Sequence, residues 1–222
     1  GNTLGFLVMI LGLGAMLGKL VAESGAAQKI TNGLIAFFGI KNTKTAVMIT
    51  GFVVGITMFY SVGFVILVPL VFTVASATGL SLISIALPML AALSVTHGFL
   101  PPHPAPSALS IMFEADIGKT LLYGIVVAIP SILISGPLLT RFIPKVEAKP
   151  LKEFMASKIF EESDLPSLSN SLLTALLPVL LIGFSTITLN FLTPGSTIFS
   201  LIEFLGNPVI ALLLSLLIGI YT

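Results

Sequence analysis

Residues 87–108 read LPMLAALSVTHGFLPPHPAPSA. An apolar run gathers hydroxyls and a histidine at its end, then meets prolines at 101, 102, 104 and 106. Each proline removes a backbone donor and pushes the residue before it away from helical geometry, so Leu100–Pro106 is expected to be non-helical. No charge relieves the stretch: Asp, Glu, Lys and Arg are absent from Thr45 through Phe113, a run of 69 residues. Apolar segments of about 18 or more residues with few charges read as membrane spans. Irregular backbone at membrane depth persists only where it is buried in protein or lines a watery cavity. The stretch reads as a broken helix inside a bilayer, the alternative being an extramembrane loop stiffened by proline; the uncharged flanks favour the first.

Composition agrees along the whole chain. Charged residues make up 9 % of the 222, against about 25 % in soluble domains. Apolar residues make up 56 %, and the mean hydropathy is +1.14. A membrane β-barrel would alternate polar and apolar residues in strands of about ten, whereas these runs are continuous and longer. The fold class expected is an all-α, polytopic integral membrane protein with broken or re-entrant helices. A net charge of +1 gives no footprint for nucleic acid. The absence of cysteine excludes disulfides, thiolate metal sites and cysteine nucleophiles. Gly12–Lys19 (GLGAMLGK) imitates a phosphate loop, but Leu13 and Leu20 stand where Gly and Ser/Thr are required. No cofactor is expected.

Working outward, residues 1–222 read as a single transmembrane domain and as an internal segment of a longer membrane protein, with further spans expected on both sides. A first span covers Thr3–Val21, with Gly14 and Gly18 at the spacing that lets helices approach closely in lipid. Ser24–Gly39 is a short interfacial helix or one arm of a re-entrant hairpin. Lys41 and Lys44 mark a loop. Thr45–Thr78 is too long for one upright helix and is expected to break around Tyr60–Gly63 and at Pro69. Leu82–Thr96, Thr120–Thr140, Leu168–Leu192 and Gly206–Tyr221 are further apolar pieces. Pro194–Glu203 reads as a loop, and 141–166, with five basic and five acidic residues, as a polar loop between spans. If the basic loops at 41–44 and 141–158 are both cytoplasmic, four crossings separate them. No internal repeat is visible.

The candidate site residues cluster at the expected breaks. Ser94, Thr96, His97, His103 and Ser107 put hydroxyls, two imidazoles and freed backbone groups into one short region, as transporters do where broken helices hold substrate. Tyr60 and Ser61 add hydroxyls at the other break. An ionisable group in a membrane span is a functional hypothesis by default, and imidazole titrates near neutrality. The proton-coupling candidates are therefore His97 and His103, with Glu23 and Lys19, which also read as a plain pair four apart on one helix face. Two histidines six apart across prolines, with no third ligand nearby, do not make a zinc site, so no metal is expected.

These same residues carry a resemblance. Gly12–Gln28 (GLGAMLGKLVAESGAAQ), Phe59–Phe72 (FYSVGFVILVPLVF), Leu87–Ala108, Asp116–Gly124 (DIGKTLLYG) and Glu203–Ile210 (EFLGNPVI) are similar to the gluconate permease family, gluconate:proton symporters of bacteria. The most specific part is T-H-x-x-x-P-P-H-P, Thr96–Pro104. The resemblance implies a secondary active transporter of two inverted repeats with re-entrant hairpins, multi-pass in the bacterial cytoplasmic membrane and about twice this length. It implies proton-coupled uptake of gluconate or a related sugar acid. The partners implied are that small organic anion, a proton, membrane lipid and the remaining spans of the same polypeptide; a homo-oligomer is compatible. Where the family commonly has an acidic residue this chain has Ser61, and Ala105 follows Pro104 where the family often has Gly. The first departure bears on proton carriage and substrate choice at that break. The alternatives are a symporter for another small anion, such as a D-serine-like amino acid or a hydroxy acid, with sodium as a coupling ion. Further off stand a membrane-embedded enzyme, which lacks a metal or nucleophile constellation here, and a channel.

Overall fold

The structure is a computed structural model that describes residues 2–143 and 160–221. Among the described residues the regular structure is helical throughout. Helix α1 (Asn2–Glu23) turns at Gly25, in the left-handed region at φ +79°, into α2 (Ala26–Phe38). Then come α3 (Thr43–Gly55), α4 (Tyr60–Thr78), α5 (Leu82–Phe99) and α6 (Pro104–Met112). Helix α7 (Ile117–Leu133) runs through a π-helical turn at Ile134–Leu138 into α8 (Leu139–Phe142). Helices α9 (Leu168–Leu189), α10 (Thr197–Gly206) and α11 (Pro208–Tyr221) complete the chain. Side-chain caps begin three of them: Asp116, Ser167 and Ser196 accept from the backbone N–H three residues on.

Among the described residues, four helical stretches are long and apolar enough to cross a membrane: Leu4–Glu23, Leu82–Met112, Ile117–Phe142 and Leu168–Leu189. A fifth is the pair α10 and α11, bent by 72°. The surface fits a lipid solvent. Val126, Ile134 and Phe184 lie outside at 66 %, 60 % and 59 % exposure, while Thr31, Thr50, Thr96 and Ser215 are buried. Those four hydroxyls donate to the carbonyl four residues back on their own helix, which satisfies them without water. One apolar core joins α1, α2, α3, α4, α5, α9 and α11 through Leu17, Ile30, Leu67, Met89, Ala175 and Leu212. A second, around Ile56, Leu100, Leu121 and Ile182, lies beneath the two chain breaks.

The structure corrects several expectations. Residues 45–96 do form three helical pieces, but the first interruption is at 56–59, ahead of Tyr60, and α4 runs unbroken through Pro69. Pro104 and Pro106 lie inside α6. They occupy its first turn, where the missing N–H has no intrahelical partner anyway, so the irregular stretch shrinks to 100–103. Helix α5 continues through Pro88 to Phe99. Thr197–Glu203 belongs to α10 rather than to a loop, with Ser196 as its cap. Lys44 sits in the first turn of α3. Of the polar loop expected at 141–166, residues 144–159 lie outside the described residues. Its end is fastened rather than free: the Gln28 side chain pairs with both backbone groups of Phe160, and Lys29 pairs with Glu162.

Candidate functional site

Two interrupted helices lie side by side. Helix α3 has 13 residues and is about 20 Å long, short of a core about 30 Å thick; it stops at Gly55 and the chain restarts as α4. Helices α5 and α6 together make the 31-residue span Leu82–Met112, and His97 stands at its midpoint. Close approach is built into the α3–α5 contact. A methyl at Gly51 would lie 2.6 Å from the Met89 carbonyl oxygen, and one at Gly55 would overlap the Thr96 hydroxyl.

The breaks bring both imidazoles together. The rings of His97 and His103 lie 4.7 Å apart, centroid to centroid, edge to face. His103 is 4 % exposed, and its Nε2 donates to the Gly55 carbonyl oxygen at 2.7 Å, so the second break is tied to the first. Phe59 borders the pair, its ring 6.0 Å from His97 and 6.3 Å from His103. Nδ1 of His97 and Oγ of Ser107 are buried and hydrogen-bonded to nothing in the protein. Ser107 lies one turn beyond His103 on α6, its N–H donating to the His103 carbonyl. Two imidazolium charges 4.7 Å apart would repel by about 3.5 kcal/mol at an effective dielectric near 20. The pair is suited to one proton, not two.

Other candidates are placed differently. Thr96 is buried, but its hydroxyl donates to the Ala92 and Leu93 carbonyls of its own helix. Tyr60 opens α4 half-buried, its ring stacked on Phe64 at 6.1 Å. Ser61 and Ser94 are exposed on α4 and α5. Lys19 and Glu23 pair with each other at 3.7 Å on the last turns of α1, 72 % and 70 % exposed, and touch neither imidazole. Among the described residues no three metal-ligating side chains converge. Sequence reading passed over Gly55 and Phe59; the Gly51-x-x-x-Gly55 spacing was the available signal. It also assigned Gly14 and Gly18 to a helix–helix contact. They face the broken segment instead: a methyl on Gly14 would lie 3.7 Å from the Phe59 ring, and one on Gly18 would lie 3.4 Å from Met58 Cα.

Space at the pair is small. A cavity of about 10 Å³ beside His103, bounded by Gly14, Thr57, Phe59 and Leu212, has room for one water at most. The site is closed in this conformation. A much larger groove of about 640 Å³ runs along α6 and α7 past Phe99, Leu109, Phe113 and Tyr123. It is open to the surface and apolar, and Asp116, Lys119, Ser110 and Thr120 are its polar residues, the last two bonded to each other.

From residue 1 to 222 the chain matches the family model for GntP family permeases. The chain belongs to the GntP permease family. It is a multi-pass membrane protein. It is 47 % identical over 222 residues to the Gnt-II system L-idonate transporter of Escherichia coli and 48 % over 223 residues to the high-affinity gluconate transporter of the same species. A D-serine transporter of Escherichia coli is 38 % identical over 223 residues. Each comparison covers all of this chain and 51 %, 51 % and 50 % of the relative. The chain thus spans about half the length of the curated relatives it matches. No solved structure matches it.

Proposed function

We propose that the permease carries a gluconate-like sugar acid inward across the bacterial cytoplasmic membrane together with a proton, at the paired breaks between α3 and α4 and between α5 and α6. The observation that carries this reading is the His97–His103 pair, with His97 at the midpoint of a broken span and the buried, unpartnered Ser107 hydroxyl one turn beyond His103. Transporters place substrate at such midplane breaks. An imidazolium there meets the carboxylate, and Ser107, Ser94, Ser61 and Tyr60 offer hydroxyls to the sugar once the site opens. Joining the anion to a proton cancels its charge, which lowers the cost of carrying it past lipid. A cavity of about 10 Å³ cannot admit a sugar acid, so loading requires Phe59 and the break to part from Gly14 of α1, and closure then seals the load. That is the alternating-access step.

The gluconate and L-idonate transporters among the relatives support a sugar acid as substrate. A second reading, a small amino acid, draws on the relative named as a D-serine transporter and on Ser61 standing where the resemblance expects an acid. The test is uptake of labelled gluconate by cells expressing the full-length permease, with and without an uncoupler and with L-idonate or D-serine as competitors. The proposal expects saturable uptake that collapses on uncoupling and is inhibited by L-idonate. Uptake of D-serine alone would transfer the site to the second reading.

A further inference from the structure

The two imidazoles are not equivalent. Resting on the reading just proposed, we infer that His103 is a positioning residue, a fixed hydrogen-bond donor that ties the α5–α6 break to the α3–α4 break, and that His97 alone takes up and releases the transported proton. His103 is closed in on all sides at 4 % exposure, and its Nε2–H is engaged by the Gly55 carbonyl. A proton reaching it from water would have to pass its enclosing shell, and a charge left there would be stripped of solvent. His97 is half-buried as a residue, with its Nδ1 on the buried side. Its Nδ1 bonds to nothing in the protein, so a proton can be added there, making an N–H bond, without breaking any bond that holds the fold. The pair is suited to one proton at a time, and the enclosure of His103 together with its Nε2–H bond to Gly55 leaves His97 as the carrier.

Among the described residues, none that lines the small cavity at the pair or packs a ring against it is charged, the imidazoles themselves aside. The residues there include Thr57 and Phe59 from the first break, Gly14 from α1 and Leu212 from α11, and His103 is bonded to the Gly55 carbonyl. Tyr60, which follows the first break, stacks on Phe64, and Lys19 and Glu23 are paired with each other on α1.

The experiment compares His97→Asn, His103→Gln and His103→Ala in the full-length permease, measuring gluconate accumulation, its pH profile and gradient-independent counterflow. His103→Gln keeps an N–H donor near Nε2 but cannot titrate; it is expected to retain uncoupler-sensitive accumulation and the wild-type pH profile, whereas His103→Ala loses both accumulation and counterflow. His97→Asn is expected to lose accumulation and pH dependence while counterflow persists. Diethyl pyrocarbonate labelling of the purified wild-type protein, read by peptide mass spectrometry, should modify His97 and spare His103, and this holds even if a variant fails to fold. Loss of coupling in His103→Gln with coupling intact in His97→Asn overturns the assignment, as does preferential labelling of His103. Wild-type uptake that ignores the proton gradient overturns the transport reading itself, which is a different result from either.

Discussion

Gly55→Ala tests the architecture of the site at its tightest point. The added methyl would overlap the Thr96 hydroxyl and lie 3.1 Å from Leu93 Cδ1 and 3.2 Å from Leu93 Cα. Leu93 Cα is backbone and Thr96 is held by two bonds to its own helix, so α3 and α5 must separate. Overpacking of this kind costs about 1–3 kcal/mol. Separation also pulls the Gly55 carbonyl from His103 Nε2, and leaving a buried partner unsatisfied costs about 1–3 kcal/mol more. A loss of about 2–6 kcal/mol in unfolding free energy is expected, read by denaturant titration of the purified permease in one detergent. Gly98→Ala is the control. A methyl there meets nothing within 4 Å, and the variant should stay within about 0.5 kcal/mol of wild type. Adding Thr96→Ala to Gly55→Ala removes the worst overlap, so the pair should show a favourable interaction energy of about 0.5–3 kcal/mol. The reasoning is refuted if Gly55→Ala is as stable as Gly98→Ala, or if the double variant is no more stable than additivity predicts.

Further predictions concern the strap that joins the end of the polar loop to α2. Gly25→Ala puts a side chain at φ +79° and a methyl 2.6 Å from Leu165 Cδ2; the left-handed conformation alone should cost about 1–2 kcal/mol, measurable in the same titration. Gln28→Ala removes both bonds to the Phe160 backbone, and amide exchange at Phe160 should speed up while exchange in the core of α5 does not. The Lys29 hydrogen bond and charge hold the Glu162 carboxyl below its ordinary value. The stabilisation is therefore complete above the ordinary carboxylate range and fades as pH falls through the lowered folded value. Lys29→Met should remove this acid-dependent part, seen as a flatter dependence of thermal stability on pH below neutrality.

Much of the fold is legible in the residues because lipid leaves few options. A 69-residue uncharged run must be helix wherever it meets lipid, and the spans around Leu4–Glu23, 82–112 and Leu168–Leu189 follow from length and hydropathy. Proline is where local reading misleads. Pro69, Pro88, Pro130 and Pro178 lie within continuous helices, since neighbouring helices stabilise backbone that an isolated helix would lose. Pro104 starts a helix instead of ending one. The first break is expected around Tyr60–Gly63 but falls just ahead of it, at 56–59, because Ile56, Thr57, Met58 and Phe59 carry no turn signal; tertiary packing places it, with Met58 buried against Gly18. His97, His103 and Ser107 could be grouped from sequence because they share eleven residues of chain. The Gly55 carbonyl, 48 residues from His103, could not, nor could the Phe160 strap, 132 residues from Gln28. Backbone acceptors leave no mark in composition.

The central claim is that the anion and a proton move together through the His97–His103 site. The most direct measurement follows external pH when gluconate is added to lightly buffered, de-energised cells expressing the full-length permease. The account predicts a transient alkalinisation that is absent with an uncoupler and absent in His97→Asn. Gluconate uptake with no pH change in the wild type, or an undiminished change in His97→Asn, would contradict it.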